Sequence, residues 1–424
     1  MVAKPLCPLY KNIIKPLDRA RYPELRYIND RNFIHKCTSC QICASVCPKE
    51  AISINLNLDG FYRPYIDKDK CVNCGICKKV CYKFTDVPQY TADDAKHYAA
   101  HALDSQVVER TTSGGIADIL CQKLIEEGYT CVGVEYDYDK NIAVGAVATH
   151  REDTLKFRGS KYIQSYSYPV FKELLEMDKN GKYAIFGTPC QIFGLDKYLK
   201  CRKRREQFVL IDIYCHGCPS MNVWSKYVKK IQQQSGFKKF DYLNFRSKVR
   251  GWGNFNVFAL VDGKPVYVSP KVNDNFYTLF FSDAVLNDSC YDCQLKSTLE
   301  FCDIRLGDFW GKSYDMNNKG ISVVSLASSK GVELFEKIRD NVWCKQHLSS
   351  DFLPYQSWGR NYAVNHELRN TLLAQLADAN ISLNRVINSY WHAMPLSKRI
   401  KQLAKNAVLL MPTSVISMIK KLYH

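Results

Sequence analysis

The sequence predicts a two-part molecule: a small α+β module built on a duplicated cysteine motif, followed by a larger α/β domain with a mixed sheet. Three observations predict it. Cysteines recur as CxxCxxCxxxC twice, at Cys37, Cys40, Cys43 and Cys47 and again 34 positions later at Cys71, Cys74, Cys77 and Cys81. From about residue 112 onward, β-rich runs alternate with helical stretches, the pattern of a sheet covered by helices. At 424 residues the chain is also far longer than a cysteine module alone requires. The expected segments are an arm over 1–30, the cysteine module over 31–88, two α/β segments over 89–178 and 179–345, and a helical extension over 346–424.

The cysteine spacing is that of iron–sulfur ligands. Three thiolates spaced by two residues on one tight loop reach three irons of one 4Fe-4S cluster, and the fourth cysteine points to the neighbouring cluster. Cys37, Cys40, Cys43 and Cys81 are therefore one predicted ligand set, and Cys71, Cys74, Cys77 and Cys47 the other, as in two-cluster bacterial ferredoxins. Between the motifs, residues 51–54 (AISI) and 62–66 (YRPYI) read as short strands around the turn Leu58-Asp59-Gly60. Such a module needs its clusters in order to fold. Paired zinc knuckles are the alternative, but zinc sites usually use two CxxC pairs and need neither the third and fourth cysteines nor Pro48.

Nineteen cysteines in a long chain with metal spacing and no apolar leader segment at its start point to a reducing, cytoplasmic setting rather than to disulfides. No run of about 18 apolar residues exists to span a membrane. The formal charge of +17 suits an acidic redox protein, a phosphate-bearing substrate or an anionic surface. It omits the negative charge that each cluster with four thiolates brings. No aromatic-basic motif of a nucleic-acid fold accompanies it, so no nucleic-acid partner is expected.

Past the module, Ser113 reads as an N-cap for a helix over 115–127 that ends at Gly128. Strands follow over 130–136 and 142–149, then a helix near 170–177, a strand over 182–186 and a helix after Gln191. A strand over 208–214, a helix over 221–234, a hairpin around Asp262-Gly263, a strand over 321–327 and a helix over 331–340 complete the order. Cys190 and Cys215 each follow a strand. A right-handed crossover between them would bring both to one carboxyl edge, where open α/β sheets bind ligands. Cys290 and Cys293 form a CxxC in a later loop, so Cys190, Cys215, Cys290 and Cys293 are a third predicted 4Fe-4S ligand set, with Cys218 and Cys302 as substitutes. Cys121 and Cys131 read as buried structural thiols.

TTSGG (111–115), SKYIQS (160–165), FGTPCQIFGL (186–195), IDIYCHGCPS (211–220), FRSKVRGW (245–252) and CDIRLGDFWG (302–311) together resemble the coenzyme F420 hydrogenase/dehydrogenase beta subunit family, which also includes 7-hydroxymethyl chlorophyll a reductase. The resemblance runs from the cysteine module to roughly residue 345. It implies FAD beside a 4Fe-4S cluster and electron passage between iron–sulfur carriers and a hydride acceptor. Where the family often has alanine before the last DI, this chain has Cys302. The last 80 or so residues match no family pattern.

No GxGxxG follows a strand and no GxxxxGK[ST] occurs, so an FAD pyrophosphate would be met instead by the backbone of Ser113, Gly114 and Gly115 at a helix start. Lys161, Arg246 and Lys248 are candidates for flavin phosphates or the pyrimidine edge, with Asp308 and Trp310 packing beside the ring. His216, next to Cys215, is a weak candidate for a proton relay, and a structural histidine is the preferred reading.

The expected activity is an iron–sulfur flavoprotein oxidoreductase. A ferredoxin or another redox protein would exchange electrons with it, and a small organic substrate would take hydride. An electron-transfer subunit of a hydrogenase or formate dehydrogenase complex reducing coenzyme F420 is the alternative, and a zinc protein binding nucleic acid ranks last. Oligomerisation is left open. The segment 396–424 mixes lysines with an apolar stretch broken by Pro412. A terminal helix covering the body is its ordinary reading, and peripheral membrane contact the other.

Overall fold

The computed structural model describes residues 26–27, 37–87, 92–411 and 415. The arm expected over 1–30, apart from residues 26–27, and the tail beyond 411, apart from Val415, lie outside the described residues. In the cysteine module, β1 (Arg26–Tyr27), β2 (Ile52–Leu56) and β3 (Tyr62–Ile66) pair antiparallel in the order β1-β3-β2. Gly60 turns β2 into β3 with φ +79°, a left-handed conformation that favours glycine. Each cysteine motif ends in one helical turn, Ile42–Ser45 and Ile76–Lys79. A left-handed residue precedes each, Gln41 in the first copy and Gly75 in the second.

The second part is built on one nine-stranded mixed sheet. In chain order its strands are β4 (Lys96–Ala102), β5 (Tyr129–Asp137), β6 (Ile142–Ala148), β7 (Ser165–Tyr166), β8 (Lys182–Phe186) and β9 (Phe208–Ile213). A separate antiparallel sheet of β10 (Tyr242–Asn244), β11 (Phe258–Val261) and β12 (Lys264–Val268) intervenes. Then come β13 (Ile304–Asp308), β14 (Ser322–Leu326) and β15 (Val342–His347). The sheet order is β15-β4-β14-β13-β9-β8-β5-β6-β7, parallel from β13 through β9 and β8 to β5 and antiparallel from β13 out to β15.

The expected strands all appear, within one or two residues at their ends. Others lie outside that set. β4 (KHYAAHA) is rich in alanine and histidine, weak strand formers, and owes its state to pairing with β14 on one side and β15 on the other. β13 lies inside CDIRLGDFWG, a segment whose sequence stands out as a motif and not as a strand.

Alternation along the central strands divides the core. Tyr183, Ile185, Phe208 and Leu210 face the helices Tyr168–Glu176 and Pro189–Cys201 together with Ile42, Val46 and Val80 of the cysteine module. Ala184, Val209 and Ile211 face the helices Ile116–Glu126 and Ser329–Glu336. This period of two is the pleat itself. A third cluster joins Ala44, Ile54 and Tyr62 of the module to Trp224, Phe245 and Phe276 and to Leu372 and Val386 of the C-terminal helices.

Two helix starts differ from expectation. Gly115, with φ +85°, is the N-cap of Ile116–Glu126, while the Ser113 hydroxyl donates instead to the Ile321 carbonyl. The next helix of interest begins at Pro189, ahead of Gln191, because Thr188 and Gln191 form a capping box and proline suits the first turn. Cys190 is therefore on the first helical turn.

Under the sheet edge, Arg305 of β13 donates bidentately to Asp212 of β9, at 2.7 and 2.6 Å, with both side chains fully buried. The two residues are register partners in the parallel ladder. Arg305 also donates to the carbonyls of Lys296 and Leu295, which fastens the loop carrying Cys290 and Cys293 to the strand leading to Cys215.

After β15 come the helices His366–Ala377, Leu383–Ala393 and Leu396–Leu410. The first two bury leucine and valine against the core; the third buries Asn406 alone. This last helix docks on the body through Asn406 and leaves most of its apolar residues exposed.

Replacing Asp212 by alanine strands a buried guanidinium and is expected to destabilise the protein by about 3–5 kcal/mol. A lowered urea midpoint of the iron-loaded protein would register this. Asp212→Leu combined with Arg305→Met should recover most of the loss.

Candidate functional site

Cys37, Cys40, Cys43 and Cys81 line one cavity, walled by Ile42, Ile54, Tyr62, Pro64 and Val80. The loop is wound so that these thiols border a space instead of meeting at a point. Among the described residues, no three His, Cys, Asp or Glu side chains close around a single ion. Burial pushes the Cys43 thiol well up, and the Cys40, Cys37, Cys81 and Cys77 thiols push it further. Burial likewise raises Cys81 to about 12, with Cys40, Cys37 and Cys77 adding to it. Bound iron would supply the positive charge that lets such crowded thiols ionise. Tyr62 is fully buried, and its hydroxyl has no hydrogen-bond partner. An acceptor held in the cavity would satisfy it.

The second motif is nearer the surface. Burial raises the Cys77 thiol, and Cys47, Cys74 and Cys71 raise it further, so these four stand together. Cys74 is exposed, as are Val72, Lys70, Lys78 and Lys79 around it. Because Cys77 also acts on Cys43 and Cys81, the two groups are neighbours.

A third group assembles at the carboxyl edge of β8 and β9, which are parallel as predicted. Burial pushes the Cys215 thiol up to about 12, with Cys290 and Cys293 contributing, and pushes Cys218 well up, with Cys290, Cys215 and Cys293 contributing. The Cys218 N–H donates to Cys290 Sγ at 3.4 Å. Cys190 is raised first by burial, then by Cys40, Cys218 and Cys215, which puts it between the first thiol group and the third. Cys302 is elsewhere, buried against Asp212 and donating to the Leu299 carbonyl.

Two buried cations accompany these thiols. Lys296, 4% exposed, donates to the carbonyls of His216 and Cys290, both at 2.8 Å. Its charge works against the upward shifts of Cys215, Cys218, Cys290 and Cys293. Arg63, from β3, donates to Ser39 Oγ, the Tyr62 carbonyl and Asn287 Oδ1, so it bridges the cysteine module and the 290–293 loop. Gln41 completes the docking. Its amide donates to the Ser165 carbonyl and accepts from the N–H groups of Ser167 and Tyr168 at the start of the next helix. None of the three stands out in the sequence. For Gln41 a signal exists: it holds a left-handed conformation where the second motif has Gly75.

His216 Nε2 comes within 2.9 Å of Asp283 Oδ1 without hydrogen-bond alignment, and Nδ1 is 3.2 Å from the Tyr362 hydroxyl. Its ring packs on Phe280, Phe281 and Tyr362.

Of the residues predicted for a flavin, Arg246, Asp308 and Trp310 gather at one place. Arg246 is 1% exposed and pairs with Asp308, which also accepts from Trp252 Nε1 at 3.0 Å. Trp310 stacks on Trp252 with centroids 4.7 Å apart, and the Arg246 guanidinium lies over Trp310 and Phe255. Arg246 Nε remains buried and unpartnered. Other donors of the set are engaged within the protein. Lys161 donates to the carbonyls of Lys156, Phe157 and Arg158, and burial lowers its pKa to about 7. Lys248 donates to the carbonyls of Val108 and Ser113, and burial lowers its pKa to about 8. The Gly114 N–H donates to Ser322 Oγ. A Cβ at Gly114 would fall 2.4 Å from the Ala100 carbonyl oxygen, so only glycine fits this strand-side approach.

Fold and thiol arrangement together define an iron–sulfur protein in which a ferredoxin-like module is joined to a mixed α/β domain. Residues 36–84 match the model for a 4Fe-4S dicluster domain. Residues 180–348 match the model for the C-terminal part of the coenzyme F420 hydrogenase/dehydrogenase beta subunit. The larger of the chain's two parts thus carries a domain similar to the C-terminal part of these beta subunits, with the dicluster domain at its N-terminal side. It is similar to coenzyme F420 hydrogenase subunit beta of Methanococcus voltae, 25% identical over 258 residues that cover 57% of this chain and 84% of the relative. It is also similar to a chain in a structure of the F420-reducing NiFe hydrogenase complex from Methanosarcina barkeri, at 17% identity and TM-score 0.44, covering 72% of this chain and 90% of that one.

Chelation of iron should loosen the module selectively. Amide hydrogen exchange is expected to quicken across residues 37–87 while the protons of β8 and β9 stay protected, since those strands lie inside the nine-stranded sheet.

Proposed function

We propose that this chain is an iron–sulfur flavoprotein oxidoreductase that takes electrons from a ferredoxin-type donor and hands them to an organic substrate. The observation that carries the reading is the unbroken sequence of thiol groups. The group with Cys74 is exposed, the Cys43 group adjoins it through Cys77, and Cys190 adjoins that one through Cys40. Bound in these places, 4Fe-4S clusters would carry single electrons and FAD would turn pairs of them into hydride.

The protein's own residues supply position and charge. Cys47 and Cys81 each serve the opposite motif, so the two cluster sites of the module form together or not at all. Cys190, Cys215, Cys290 and Cys293 hold the third site, and Lys296 offsets the negative charge that accumulates there. Arg246, held charged by Asp308, presents its unpartnered Nε and the Trp310 face as the wall for a flavin ring, and a guanidinium there favours a reduced, anionic ring. The lysines at 70, 78 and 79 surround the exposed Cys74 and attract an acidic donor.

A second reading, an electron-transfer subunit within a larger complex, is favoured by the similarity to a hydrogenase subunit. It predicts co-purification with a large catalytic partner; the first predicts turnover by the isolated chain.

Anaerobic purification with iron, sulfide and flavin analysis tests the proposal. About twelve irons and one FAD are expected, and eight irons without flavin would remove both the third site and the hydride step. Cys190→Ser should lower the count by about four irons, whereas Cys218→Ser and Cys302→Ser should leave it unchanged. A loss with Cys218 in place of Cys190 would exchange those two in the ligand set. Reduction by an acidic ferredoxin should slow as salt rises, and Lys78→Gln with Lys79→Gln should flatten that dependence.

A further inference from the structure

We propose that the helix Leu396–Leu410 is a membrane-surface anchor that rests its apolar stripe on an anionic lipid bilayer. The helix is docked the wrong way round for a core-covering element. Its buried residue is Asn406, whose amide donates to Asn273 Oδ1 at 2.9 Å and accepts from Gln402. The apolar residues Leu396, Ile400, Leu403, Ala407 and Leu410 recur at intervals of four, three, four and three, which places them on one stripe. That stripe points to solvent: Leu396 is 70% exposed, Ile400 57%, Leu403 66% and Leu410 60%. Met411 and Val415 are exposed apolar residues just beyond it.

Charge identifies the occupant. No Asp or Glu follows Asp378, while Arg385, Lys398, Arg399, Lys401, Lys405, Lys420 and Lys421 all do. Lys398, Lys401 and Lys405 are exposed on the helix. A one-sided apolar stripe with lysines on the remaining face is the composition of a helix lying in a lipid interface, where acyl chains take the stripe and anionic headgroups take the cations. Two copies meeting stripe to stripe would bring like charges together on a chain already at +17. No helix among the described residues is long and apolar enough to cross a bilayer, so the contact is peripheral.

The test is sedimentation of the full-length, iron-loaded protein with vesicles of phosphatidylglycerol mixed with phosphatidylcholine, and with vesicles of phosphatidylcholine alone. Binding to the anionic vesicles only, weakened by salt, is expected. Ile400→Glu with Leu403→Glu should lower binding at least tenfold without changing the visible absorption of the clusters. Lys401→Gln and Lys405→Gln should each cost about fivefold. Equal binding to both kinds of vesicle, full binding by the Glu variant, or dimerisation that the Glu variant abolishes without any vesicle binding would each overturn the proposal.

Discussion

Arg63 is the residue on which the relation between the two parts of this protein depends. Its guanidinium is buried, 8% exposed, and its hydrogen bonds go to a hydroxyl, a carbonyl and an amide, with no carboxylate among them. Burying a cation in this way is unfavourable unless negative charge lies close by. The thiol groups on either side are where that charge would come from: Arg63 already favours ionisation of Cys290, while Ser39, which it holds, follows Cys37 by two positions. On the proposed reading Arg63 links iron binding to docking of the module: ionised thiols would offset its buried charge, and it would offset theirs.

The same logic explains the rest of the polar interior. Lys296 faces the third thiol group as Arg63 faces the boundary between groups, and Arg305 anchors the loop that presents Lys296. Farther along, Arg246 and Asp308 tie an aromatic wall together. Each of these buried cations sits where an electron-rich group is expected. The opposite face of the sheet, where Ala184, Val209 and Ile211 pack, is covered by plain apolar helix surface.

Much of this is readable from the chain. The eight cysteines of the module announce their grouping by spacing, and strands such as KYAIF and FVLIDI declare themselves by short apolar runs rich in β-branched and aromatic residues. Cys190 and Cys215 follow from topology, since parallel neighbouring strands must release their ends at one edge. What the chain conceals is whatever depends on tertiary context. β4 has a helix-friendly composition and becomes a strand because β14 and β15 offer it hydrogen bonds. Lys296 resembles any solvated lysine until the fold closes over it. Lys161 and Lys248 have the look of phosphate ligands in the sequence, yet each ammonium is occupied by backbone carbonyls. Cys302 interrupts a motif without joining the thiols near it, because it is buried against the Arg305–Asp212 pair.

Two glycines carry a final consequence. A side-chain carbon at Gly60 would fall 2.5 Å from Ser220 Oγ, and one at Gly194 would meet Ile42 at 3.0 Å. The backbone of the hairpin turn thus lies flush on the start of the helix Met221–Ser235, and the helix that carries Cys190 lies flush on the first cysteine loop. The module is thus pinned to the larger domain at two separated points. On the proposed reading, hand-over between the two parts is tunnelling across a gap fixed at folding, so solvent viscosity has no purchase on it.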